Sequence, residues 1–126
     1  MNTKQQGDIG VAQAIYYYTL QGFIVSIPNT DNSFYDLLVD KLDGKIYRVQ
    51  CKTTFFLDRC GVYKVSLKTS GGNQSWNKVI KRVTKENADL LWVSDKDKNG
   101  YEFPPEIFDG RTTINLGKAY QEYKVI

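Results

Sequence analysis

Two periods of hydrophobicity alternate along the chain. From Asp8 to Gln21, DIGVAQAIYYYTLQ places Ile9, Ala12, Tyr16 and Leu20 three or four residues apart, which predicts a helix, and Gly22 follows as its stop. The pattern then shortens. FIVSIP (Phe23 to Pro28), FYDLLVD (Phe34 to Asp40), KIYRVQCKTTFF (Lys45 to Phe56), VYKVSLK (Val62 to Lys68) and DLLWVSD (Asp89 to Asp95) are β-branched or aromatic runs, and each predicts a strand. Asp43-Gly44 marks a hairpin turn between the second and third. TSGGNQSWNK (Thr69 to Lys78) is a polar loop without period, and Thr84 is a plausible cap for a short second helix. KDKNG is a turn, YEFPPEIF a short edge strand ended by Pro104-Pro105, RTTINL a last strand and KAYQEYKVI a tail. The expected architecture is α/β, a mixed β-sheet flanked by helices. With 126 residues and no repeat, low-complexity tract or linker, one domain over 1–126 is expected.

Composition narrows the class. Hydrophobic residues make up 41% and charged residues 25%, the balance of an ordinary globular protein. No apolar run approaches the roughly 20 residues that span a bilayer, so no membrane association is expected. MNTKQQGD is polar and no signal-peptide hydrophobic region follows it, which points to the cytoplasm. Cys51 and Cys60 are too few for a disulfide framework and are expected as free thiols. The chain has no histidine. That excludes nucleophile systems that use a histidine base and any hydrolysis with a histidine general base. Carboxylate, amide and lysine chemistry around a hard metal ion remains. A net charge of +3 leans weakly towards an anionic partner.

One stretch concentrates such chemistry. Strand alternation puts Gln50 and Lys52 on one face and Cys51 on the other. Asp36 lies early in the preceding strand, after the turn-forming run NTDNSFY. A hairpin would therefore gather a carboxylate, an amide oxygen and an ammonium on one surface. Mg²⁺ binds through such oxygens, and a neighbouring ammonium can stabilise phosphoryl charge. The bland alternative is an amphipathic hairpin with three solvated polar side chains, because the spacing alone is a short pattern.

Asp36, a hairpin, then Gln50-Cys51-Lys52 resembles the core of the PD-(D/E)XK nuclease superfamily. The longer pattern GDIGVAQAI, GFIVSIPNTDNSFYDLLVD and YRVQCKTT is similar to the branch containing the homing endonuclease encoded in a bacterial group I intron. The likeness runs from Gly7 to about Asp95. It implies a restriction-endonuclease-like core and a Mg²⁺-dependent DNA endonuclease, with Mn²⁺ able to substitute. Asp36 takes the family's metal-binding position and Lys52 its catalytic lysine. Gln50 takes the second ligand position, where this branch has Gln and most of the superfamily has Asp or Glu. On the same resemblance, the main-chain carbonyl of Cys51 would complete the metal shell. One departure stands out: the family's helix glutamate is replaced by Val11. Asp8, three residues earlier, either substitutes for it or simply caps the helix as an N-terminal acid.

SLKTSGGNQSWNKVIKRVTK carries Lys68, Lys78, Lys81, Arg82 and Lys85 with no acid among them. Those cations suit phosphates, and Asn73 and Gln74 suit base edges, while Trp76 can stack or pack. The bland alternative is a solvated loop. So small a domain covers few base pairs, so recognition of a long double-stranded DNA site implies a homo-oligomer, a dimer or tetramer. The sequence reads best as a site-specific homing-type endonuclease. A resolvase or restriction-type enzyme of the same fold is the first alternative. A catalytically silent DNA-binding module is the second, favoured by Val11.

Overall fold

The computed structural model describes residues 1–30, 33–70 and 80–126. The first helix, α1 (Thr3–Leu20), is longer than its apolar spacing suggests. Its start is fixed by a reciprocal cap: the Asn2 side chain accepts from the Gln5 amide, and the Gln5 side chain accepts from the Asn2 amide. Asp8 therefore sits in the second turn and does not cap the helix, which corrects one of its two expected roles. Gly22, at φ 81°, provides the left-handed turn that ends the helix.

The stripe Ile9, Ala12, Tyr16 and Leu20 lies on the outer face of α1. The buried face is Gly10, Ala14 and Tyr18. Small residues at 10 and 14 let the helix lie close on the sheet. A Cβ built on Gly10 would come within 2.4 Å of Thr53 Cγ2. The hydroxyl of Tyr18 is satisfied by donating to Glu102 at 2.6 Å.

The strands are β1 (Ile24–Ser26), β2 (Leu37–Asp40), β3 (Ile46–Thr54), β4 (Lys64–Ser66), β5 (Lys68–Ser70), β6 (Ile80–Arg82), β7 (Leu90–Asp95), β8 (Gly100–Phe103) and β9 (Thr113–Asn115). The main sheet is mixed, in the order β1-β2-β3-β7-β8. β2 and β3 form the expected hairpin, with Asp40 opposite Ile46. β3 and β7 run parallel, with Gln50 opposite Leu91 and Lys52 opposite Val93. The single strand expected over Val62–Lys68 is split in two: β4 pairs with β9, and β5 pairs with β6 as a separate ribbon.

The helix expected after Thr84 is a turn only. Pro104-Pro105 opens the short α2 (Pro105–Phe108), and the tail forms a 3₁₀ segment, Lys118–Tyr123. Proline suits the first turn of a helix, where its missing N–H has no partner to lose.

The sheet divides two apolar layers. On one face α1 packs Ala14 and Tyr18 against Leu37, Val39, Val49, Leu90 and Trp92. On the other, Val65, Leu67, Phe108 and Ile114 cover Leu91, Val93, Tyr101 and Phe103. Among the described residues no helix is long and apolar enough to cross a membrane. Both cysteines are free thiols.

Candidate active site and nucleic-acid interface

The site is built where β2 begins beside the middle of β3. The amide of Asp36 donates to the carbonyl of Val49 at 2.8 Å, one position beyond the Leu37–Val49 register pair. That main-chain bond holds Asp36 beside Val49, one residue before β2 begins and within reach of the Gln50 side chain. Asp36 Oδ2 then accepts from Gln50 Nε2 at 2.9 Å and from the Cys51 amide at 2.8 Å. Gln50 Nε2 also donates to the Cys51 carbonyl at 3.3 Å. Strand alternation does the rest. Cys51 joins the layer under α1, while Gln50 and Lys52 lie on the other face with Leu91 and Val93.

Lys52 is half-buried, and its Nζ donates to the carbonyl of Lys68 at 3.1 Å, at the start of β5. The charged groups influence one another through this partly dry region. Burial pushes the Asp36 carboxyl up, while the Cys51 amide and the Lys52 charge pull it back. Burial lowers the Lys52 ammonium, with Asp36 opposing. Burial, and secondarily Asp36, pushes the Cys51 thiol well up, so its sulfur stays protonated and only its main chain is available at the site.

A cavity of about 370 Å³ opens on the other side of Asp36. It is lined by Asp8 and Val11 of α1, by Ile27, Pro28, Thr30, Ser33 and Tyr35 of the β1–β2 connection, and by Asp36 itself. Asp8 and Val11 thus share a wall with Asp36, as the helical repeat requires of residues three apart. Asp8 is well exposed and pairs with Lys4 one turn back at 3.2 Å.

The donor chemistry fits a hard divalent cation. Two oxygen groups, the Asp36 carboxylate and the Cys51 carbonyl, converge on the positive end of the Gln50 amide, and that amide has an oxygen of its own to offer. Among the described residues no three His, Cys, Asp or Glu side chains cluster as a metal cage. Any ion held here would therefore depend on main-chain and amide oxygens beside the single Asp36 carboxylate.

A family model described as PD-(D/E)XK endonuclease matches residues 1–124. The chain belongs to that family. The match extends past Asp95, through α2, β9 and the 3₁₀ segment. The solved structure of a bacterial homing endonuclease, I-Ssp6803I, is similar at 25% identity with a TM-score of 0.81, covering 98% of this chain and 89% of that one. No curated protein matches the sequence. The PD-(D/E)XK assignment and the mixed five-stranded sheet agree on a restriction-endonuclease-like nuclease fold.

The basic segment divides. Lys68 and Arg82 are exposed and directly opposite each other at the base of the β5–β6 ribbon, and Lys81 is registered opposite Thr69. Asn73, Gln74, Trp76 and Lys78 lie outside the described residues. Two features of the site had no signal in the residue pattern. The anchor of Lys52 is a main-chain carbonyl, which no residue type announces. The cavity wall at Ile27, Pro28 and Tyr35 comes from a connection whose path only the fold defines.

Proposed function

We propose that the chain is a metal-dependent endodeoxyribonuclease, a single domain over 1–126 that hydrolyses phosphodiester bonds in double-stranded DNA as a site-specific homing-type enzyme. The observation that carries this reading is the convergence of Asp36 and the Cys51 carbonyl on the Gln50 amide, with Lys52 on the same face. Asp36, Gln50 and the Cys51 carbonyl would hold Mg²⁺ or Mn²⁺, and Asp8 would approach from the shared cavity. The ion would supply Lewis-acid polarisation of a phosphoryl oxygen and a more acidic bound water. Lys52, on a rigid strand and partly desolvated, stabilises charge developing on the scissile phosphate. Lys68, Lys81 and Arg82 of the β5–β6 ribbon would contact phosphates, and Asn73, Gln74 and Lys78 would be further DNA contacts. The homing endonuclease likeness supports site specificity. The small size of the domain supports a homo-oligomer.

The deciding experiment incubates the protein with a plasmid library in Mg²⁺ or Mn²⁺, beside Lys52→Ala. Wild type should cut. Lys52→Ala should not, yet should bind DNA nearly as well. Cleavage by Lys52→Ala at the wild-type rate would remove the assignment. Val11, facing the cavity where the family has a glutamate, favours a second reading, a catalytically silent DNA-binding module. Binding without cleavage in either metal by wild type would support that one.

A further inference from the structure

The two ends of the Gln50 carboxamide are chemically opposite, and the site identifies which end faces inward. An ionised carboxylate and a peptide carbonyl only accept hydrogen bonds. The end of Gln50 that lies 2.9 Å from Asp36 Oδ2 and 3.3 Å from the Cys51 oxygen is therefore the NH₂ end. A hard cation takes oxygen ligands and gains nothing from an amide N–H. In this arrangement Gln50 cannot ligate, and its N–H group occupies the space between the two oxygens that would hold the ion.

We infer that Gln50 is a latch: in the metal-free protein its N–H bridges Asp36 and the Cys51 carbonyl in a cation's place, and metal enters only as the carboxamide turns over to present Oε1. The inference rests on the proposed reading of the hairpin as a metal site. Its physical basis is the cost of leaving buried acceptors without a donor. Asp36 is half-buried, and among the described contacts its side chain is held by the Gln50 amide and the Cys51 amide alone. The latch removes that cost while no ion is bound. A glutamate at position 50 could not do so, because it would set a second negative charge beside Asp36. The same side chain thus stabilises the metal-free hairpin as a donor and serves the metal-bound one as an acceptor. Turning over requires rotation about the terminal torsion only, which is a soft one.

The test is nuclear magnetic resonance on wild-type protein. The Gln50 side-chain NH₂ signals are assigned by cross-relaxation with the Cys51 amide proton, so no variant need fold. In chelator both protons should exchange slowly with water. At saturating Mg²⁺, which is diamagnetic, they should shift and exchange about tenfold faster or more, because both hydrogen bonds are gone. If Mg²⁺ moves the Asp36 and Cys51 signals while the Gln50 NH₂ exchange is unchanged, the latch is overturned and the metal site stands. If no hairpin signal responds to Mg²⁺ at any concentration the protein tolerates, the metal reading falls and the latch falls with it.

Discussion

Position 11 is the residue that most separates this chain from the resemblance in its sequence. Val11 and Asp8 line the same cavity as Asp36, so a carboxylate at either position can face it. Val11→Glu adds a charged oxygen ligand to a site otherwise rich in neutral ones. It should tighten Mn²⁺ binding by on the order of tenfold, read by calorimetric titration without DNA. An unchanged affinity would mean that this wall of the cavity does not reach the ion. The shared face of Gln50 and Lys52 was legible in the sequence because a strand has a strict period of two, whereas Asp36 lies one residue before β2 and meets Gln50 through its side chain. The Lys52 anchor on the Lys68 carbonyl was not legible, since every residue carries a carbonyl. Nor was the second-turn position of Asp8, because the Asn2–Gln5 cap that starts α1 lies before the apolar period begins.

At the scale of elements, α1 shows why helical spacing named the existence of the helix and not its face. Tyrosine, isoleucine and alanine surround it, so more than one stripe satisfies the period. The face that packs is chosen by size: glycine and alanine at 10 and 14 allow close approach, and neither scores as a strong hydrophobe. Gly10→Ala tests this. Alanine favours a helix over glycine by about 1 kcal/mol. Here, however, its methyl would meet the stiff, β-branched Thr53 at 2.4 Å, so the net effect should be destabilising by roughly 1–3 kcal/mol in denaturant unfolding. Stabilisation would show that α1 can move out at no cost. A second tie joins β3 to the start of β7. The Arg48 Nε and amide both donate to Asp89 Oδ2, at 3.1 and 2.8 Å, and Arg48 Nη2 donates to Oδ1 at 3.1 Å. Chiefly through the Arg48 hydrogen bond, the Asp89 carboxyl is held below its usual range. A depressed carboxyl stabilises above its unfolded pKa, about 3.9, and loses that contribution as pH falls through the folded value. Asp89→Asn should therefore cost about 1 kcal/mol at neutral pH, given the partial exposure of the pair. In thermal melts the gap to wild type should be flat above about pH 5 and close progressively below pH 4. A gap that does not close in acid would assign the loss to packing.

At the scale of the whole molecule, the order of strands was only partly legible. Alternating runs give strands, but the parallel β3–β7 pairing joins residues some forty positions apart, and no local pattern specifies it. The second apolar layer, from β4, β9, α2 and the 3₁₀ segment, was equally hidden, because the short runs that build it resemble loop and tail. The electrostatic prediction belongs here. If the β5–β6 ribbon lies on DNA, Lys68→Ala and Arg82→Ala should each weaken binding across all sequences. Each should also lower the slope of log affinity against log salt by about 0.9. Unchanged slopes in both would put the ribbon on a solvent face.

The ribbon also occupies a telling place in the chain. Asp36, Gln50 and Lys52 come from one local hairpin, whereas β5 and β6 sit within the long crossover from β3 to β7. Doubling the length of a flexible loop costs only about 0.6 kcal/mol in closure entropy. A crossover can therefore absorb insertions, deletions and substitutions at its tip while its two ends stay clamped in the sheet. On the proposed reading, the hairpin chemistry and the crossover surface can thus diversify separately, apart from the Lys68 carbonyl that anchors Lys52. If that reading holds, a lineage built on this plan could acquire new targets by rewriting one segment while keeping the hairpin and its Lys68 anchor.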